Sequence, residues 1–207
     1  MHSALTTDRR FNLKRVLDAV ERIAVVGLYA FLVYRFAGSL MDKPANILIV
    51  VSEGLIAALV LFRRSTDQIS LKPSDWIVGV LGTALPMLVQ PTGGGWNGGI
   101  ILLAGGLLIS VAAKLSLRRS FGIVAANRGV KSTGLYAAVR HPMYLGYLVT
   151  YIGAQLLNPS IWNAVIFVLW LGFEIARIHA EEAVLMQDEA YRAHAVKVRF
   201  RLIPGVW

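Results

Sequence analysis

Cysteine is absent from the 207-residue chain. That excludes a disulfide framework, a zinc knuckle, a thiol nucleophile and a palmitoylation site. Charge is also scarce, at 16% of residues, where a soluble domain carries ~25%. The shortage is concentrated in long uncharged runs; 56% of the chain is hydrophobic and its mean hydropathy is +0.59. Such a chain is built for lipid. Acidic residues are the scarcer sign, 12 against 21 Lys and Arg, for a net charge of +9. The basic residues lie between apolar runs and build no polar domain. They therefore point to membrane topology and anionic headgroups rather than to nucleic acid. The N-terminal segment has no short apolar core followed by a small-residue cleavage site, which predicts that no signal peptide is cleaved. Gly93-Gly94-Gly95 lacks a following Lys-Ser/Thr and predicts an external turn, not a phosphate loop.

A membrane-spanning helix needs ~20 mainly apolar residues. Six runs approach or meet this: Ile23 to Gly38, Ala45 to Phe62, Trp76 to Gln90, Gly98 to Leu117, Tyr144 to Leu157 and Ile161 to Ala176. The last two are joined by Asn158-Pro159-Ser160 alone, which predicts a hairpin. Both are short, so their helices should continue into polar sequence at one end. Arg35 and Lys43 alone fall on the far side of this arrangement, leaving 19 of 21 basic residues on one face. By the positive-inside rule that face is cytoplasmic, both termini are inside and the number of spans is even. The expected fold is an all-α integral membrane protein of about six transmembrane helices. It forms one membrane domain, 1–207, with a four-span part at 1–117 and a second part at 118–207.

Three local features leave alternatives open. Between Asp8 and Glu21, the residues Phe11, Leu13, Val16, Leu17 and Val20 recur at helical intervals among charges. They fit an interfacial helix, or equally the polar start of the first span. Glu53 lies inside the second run and should face the bundle interior, for function or for a hydrogen bond to a neighbouring helix. Gly106 and Ser110 form a small-xxx-small pair, a helix-packing feature that leaves the oligomeric state open.

Two polar clusters flank the last hairpin. In the first, residues 134–146, His141-Pro142 marks a helix start, because proline suits the first helical position. The free N–H groups of that turn suit an anionic group, and Tyr136 and Tyr144 offer aromatic faces to an adenine or a cation. A helix cap with interfacial aromatics is the plainer alternative. The second cluster is Glu174, Arg177, His179, Glu181 and Glu182. Arg177 and Glu181, four apart, share a helix face, and the plain alternative is an exposed ion pair of little worth. The hairpin brings the two clusters close together. The chain has four histidines, a thin ligand set beside the histidine-rich membrane di-iron oxygenases, and no metal is expected.

Arg119-Ser120-Phe121-Gly122-Ile123, Gly134-Leu135-Tyr136 and Arg140-His141-Pro142-Met143-Tyr144-Leu145-Gly146 resemble the isoprenylcysteine carboxyl methyltransferase family. The likeness continues through Arg177-Ile178-His179-Ala180-Glu181-Glu182, Leu185, Tyr191 and Arg201-Leu202-Ile203-Pro204-Gly205, over about residues 115–207. Bacterial relatives are the most similar in pattern, and the phospholipid methyltransferases more distantly so. The resemblance implies an S-adenosylmethionine-dependent methyltransferase whose cofactor lies between the loop before the fifth helix, its start and the C-terminal segment. Cofactor contacts would be Val130 and Lys131 through their backbone, with Tyr136, His141, Pro142, Met143, Tyr144 and Glu181. Arg177 would stand near the methyl acceptor, presenting a fork to a carboxylate. Glu182, the second acid, would be the base if the acceptor were an amine or hydroxyl. Met186 to Tyr191 departs from the eukaryotic pattern, which has Phe-Gly before the tyrosine.

The implied acceptor is a lipophilic molecule at the cytoplasmic face: a prenylcysteine-type carboxylate, a thiol or a lipid headgroup. Two other readings compete. Sterol reductases are distantly similar in the C-terminal part, which would imply a nicotinamide cofactor, and a non-catalytic scaffold can keep the same fold.

Overall fold

A computed structural model describes residues 2–37, 47–92 and 94–207 of the chain. Lys43 and Gly93 lie outside the described residues, as do the side chains of Arg9, Arg10, Arg35, Glu53 and Arg118. Among the described residues seven α-helices follow in order: α1 His2–Ala37, α2 Ile47–Leu61, α3 Pro73–Ala84, α4 Gly99–Leu117, α5 Pro142–Leu157, α6 Ile161–Leu185 and α7 Glu189–Lys197. Among the described residues the only β-type pairing is an isolated bridge between Ile69 and Ala126. The all-α expectation holds. Two of these helices, Gly99–Leu117 and Ile161–Leu185, are long and apolar enough to cross a membrane.

The polar stretch before the first run is not a separate helix. α1 runs unbroken through it for 36 residues, because no proline or glycine interrupts the sequence before Gly27. The third run behaves differently. Pro86 cannot donate to an α-helical ladder, so α3 ends at Ala84 and tightens into a 3-10 turn over Leu85–Leu88.

α4 and α5 are held together by small residues. A Cβ on Gly106 would strike the Thr150 backbone nitrogen, and one on Gly153 would strike that of Leu103. A Cβ on Gly146 would come within 2.5 Å of the Ser110 nitrogen. The two backbones therefore touch along their length, and the Gly106–Ser110 pair is spent inside the molecule. α5 turns into α6 as the Asn158-Pro159-Ser160 connection implied. The Ser160 hydroxyl accepts from the Asn163 N–H at 3.1 Å and caps α6. Asn163 is 1% exposed. It exchanges two hydrogen bonds of 2.9 Å with the Gln90 backbone, tying the hairpin to the segment after α3.

The outward helix faces are apolar. Leu108 is 71% exposed and Val168 67%, a pattern that lipid accommodates and water does not. α6 continues past its apolar run to Leu185, so Arg177, Glu181 and Glu182 project from the same helix that carries the apolar run. All the chemistry described next lies at that end.

Candidate active site

At the start of α5, Pro142 occupies the first helical position, with His141 before it. Pro142 has no N–H to lose there, and the first-turn N–H groups of Met143 and Tyr144 have no partner within the helix. The C-terminal segment is strapped across this turn by two backbone bonds, Arg140 N–H to Phe200 O and His141 N–H to Arg201 O, each 2.9 Å.

Glu182, 5% exposed, is the hub beneath the strap. Its Oε1 meets Arg140 Nη1 and His141 Nε2 at 3.1 Å each, and accepts weakly from the Tyr191 hydroxyl at 3.4 Å. Its Oε2 accepts from Arg201 Nε at 2.9 Å. One carboxylate thus joins α5, α6, α7 and the C-terminal segment. Burial, helped by Glu182, pushes the Tyr191 phenol far above its ordinary range, so it stays a neutral donor.

Glu181, one residue earlier, faces the other way. Its Oε2 accepts from the Tyr144 hydroxyl at 2.9 Å. Arg177, also buried, lies with its guanidinium carbon 5.3 Å from the centre of the Tyr144 ring. Its Nε donates to Ile123 O at 3.1 Å, and its Nη1 reaches Glu174 Oε1 at 3.4 Å. The plainer alternative, an exposed Arg177–Glu181 pair, does not form: Arg177 is turned inward and takes Glu174 as its acid. Close by, Lys114 of α4 sits 4.9 Å from the centre of the Tyr147 ring.

Above Tyr144 opens a small cavity of about 50 Å³. Of the eight expected cofactor residues, seven line it: Val130, Lys131, Tyr136, His141, Met143, Tyr144 and Glu181. Pro142 is buried behind the wall. Arg177 and Glu182 are off the lining, Arg177 over the Tyr144 ring and Glu182 one layer deeper. Burial, with Glu181 adding to it, pushes the Tyr136 phenol well up, so it also remains a neutral hydroxyl. Arg128, Gly129, Arg140 and Tyr191, outside the expected contacts, also line the cavity. Arg140 and Tyr191 stood within the recognised motifs. Arg128 had no local signal, since its partners lie more than a hundred residues away.

The cavity is lined by aromatic, hydrogen-bonding and acidic groups. Aromatic faces suit an adenine, α5 N–H groups suit a carboxylate, and Glu181 beside Tyr144 suits cationic groups. Among the described residues no three His, Asp or Glu side chains are grouped so as to hold a metal ion, and His179 packs against Trp207.

The described residues form an all-helical fold with a small, mixed polar and apolar cavity at one end of an apolar helix hairpin. Residues 97–193 match the phospholipid methyltransferase family. The chain is 31% identical over 102 residues to the protein-S-isoprenylcysteine O-methyltransferase of Schizosaccharomyces pombe, covering 45% of this chain and 43% of that protein. It is 35% identical over 98 residues to protein-S-isoprenylcysteine O-methyltransferase A of Arabidopsis thaliana, covering 44% and 49%. The Saccharomyces cerevisiae protein-S-isoprenylcysteine O-methyltransferase is 47% identical over 76 residues, covering 36% and 30%. The chain thus spans less than half the length of each of these relatives. A solved structure of the eukaryotic intramembrane Ras methyltransferase, isoprenylcysteine carboxyl methyltransferase, aligns over 99% of this chain and 86% of its own. It does so with a TM-score of 0.47 and 20% identity. The resemblance read from the motifs holds: the chain is similar to the isoprenylcysteine O-methyltransferases and, over residues 97–193, to the phospholipid methyltransferases.

Proposed function

We propose that the protein is an integral membrane methyltransferase that uses S-adenosylmethionine to methylate a lipophilic acceptor at the cytoplasmic face. The observation that carries this reading is the convergence of Val130, Lys131, Tyr136, His141, Met143, Tyr144 and Glu181 on one cavity at the polar end of the α5–α6 hairpin. The positive-inside rule supports six crossings with both termini inside.

When bound, S-adenosylmethionine supplies a methyl group already activated on a sulfonium. The protein's tasks are placement and exclusion of water. The α5 N–H groups and Glu181 hold opposite charges of the donor, and Tyr144, fixed by its bond to Glu181, shapes the floor. Arg177 orients the acceptor, with Glu174 and Ile123 O fixing its guanidinium. Both Glu182 oxygens already accept hydrogen bonds, which suits a structural tie better than a general base. This favours an acceptor that needs no base, a carboxylate or thiolate, over an amine or hydroxyl. A prenylcysteine-type carboxylate fits, and it matches what the curated relatives' names describe.

The test is to incubate labelled S-adenosylmethionine with membranes containing the protein and identify the labelled lipid or small molecule. Label in the lipid-soluble fraction, lost in the Arg177→Ala variant, is the expected result. No label, together with NADPH binding to the purified protein, would sink the reading in favour of a reductase.

A further inference from the structure

We propose that Asp18, Glu21, Arg63 and Arg128, a buried charge quartet whose first three members lie outside the family match over residues 97–193, are positioning residues for the site. This rests on the methyltransferase reading of the cavity. The four side chains come from α1, the turn just after α2 and the loop before α5, and none is more than 5% exposed. Arg63 Nη2 donates to Asp18 Oδ1 at 3.0 Å and to Glu21 Oε2 at 2.8 Å. Arg128 Nη2 donates to the same two oxygens at 2.7 and 2.8 Å.

The quartet is coupled to the site through one peptide unit. Glu21 Oε1 accepts from the backbone N–H groups of Ile123 and Val124, at 2.8 and 2.9 Å. The carbonyl of the same Ile123 accepts from Arg177 Nε. Glu21 therefore fixes from one side the residue that orients Arg177 from the other. A second route runs through Arg128, which lines the cavity together with the following Gly129 and Val130. Gly122 completes the arrangement, because a Cβ there would occupy the place of the Arg128 guanidinium. A quartet serving only to staple α1 to α2 would need neither the two loop N–H groups nor Arg128.

Two variants of the full chain in detergent test this. Glu21→Gln keeps the side chain's shape and removes its charge, while Gly122→Ala keeps every charge and displaces Arg128. Amide exchange over residues 121–129 should speed up roughly tenfold or more in both, with α4 and α5 unchanged. S-adenosylmethionine affinity, read by calorimetry below the unfolding temperature, should fall roughly ten- to a hundredfold. Wild-type exchange over 121–129 overturns the proposal. So does wild-type affinity alongside a lowered Tm, which would mark the quartet as a staple only. If the unaltered protein binds no S-adenosylmethionine, the functional reading falls, while the exchange result still decides whether the quartet mounts this loop. If Glu21→Gln fails to fold, Gly122→Ala decides both measurements.

Discussion

Glu181 and Glu182 are neighbours with opposite assignments. Glu181 looks into the cavity with one bond to Tyr144, so Glu181→Gln should leave the fold intact and weaken S-adenosylmethionine binding. A hydrogen bond to a charged group contributes ~1.5–3 kcal/mol, or roughly ten- to a hundredfold in Kd by calorimetry. Glu182→Ala would instead strand Arg140, His141 and Arg201 around an empty centre. Breaking a buried ion pair by removing one partner costs ~3–5 kcal/mol, which should appear as a large fall in Tm. Glu21 adds a pH signature. Burial alone would raise its carboxyl, but Arg128 and Arg63 outweigh that and hold it below the ordinary glutamate value. A carboxyl depressed in the fold contributes stability above its unfolded pKa, and that contribution is lost as pH falls through the folded one. Wild-type Tm should therefore drop on acidification below about pH 4.5, and Glu21→Gln should flatten that part of the curve.

At the scale of elements, the small-residue seam makes a sharp prediction. Gly106→Val would place a branched side chain against the Thr150 backbone. Overpacking costs ~1–3 kcal/mol, and here it should also shift the α5 start and lower S-adenosylmethionine affinity. Tm and calorimetry on one sample check both. The helices and the hairpin were legible beforehand because apolar run length, Pro142 and Asn158-Pro159-Ser160 are local signals. Most of the cavity lining was legible through motif resemblance. The quartet was not: Glu21 and Val124 are 103 positions apart, and no periodicity encodes such a meeting. Nor did spacing reveal the partner of Arg177, because residues three and four apart on a helix are both within reach. Packing of α3 against α6 brings Gly82 within 2.6 Å of Glu174 Oε1 for a built Cβ, which confines the acid beside Arg177.

For the whole molecule, the chain beyond α7 closes the site. Residues 200 and 201 supply both backbone bonds to the α5 start, and Arg201 supplies a bond to Glu182. Truncation after Arg199 should leave α4 to α6 helical by circular dichroism and abolish measurable S-adenosylmethionine binding. The α4–α5 seam has a different consequence, in the order of disassembly. Its attraction is close backbone packing, which lipid tails and detergent replace poorly. The contacts of α1 with α2, by contrast, end in buried charges that water can claim once the ends fray. In increasingly harsh detergent, α4 and α5 should be the last two helices to part.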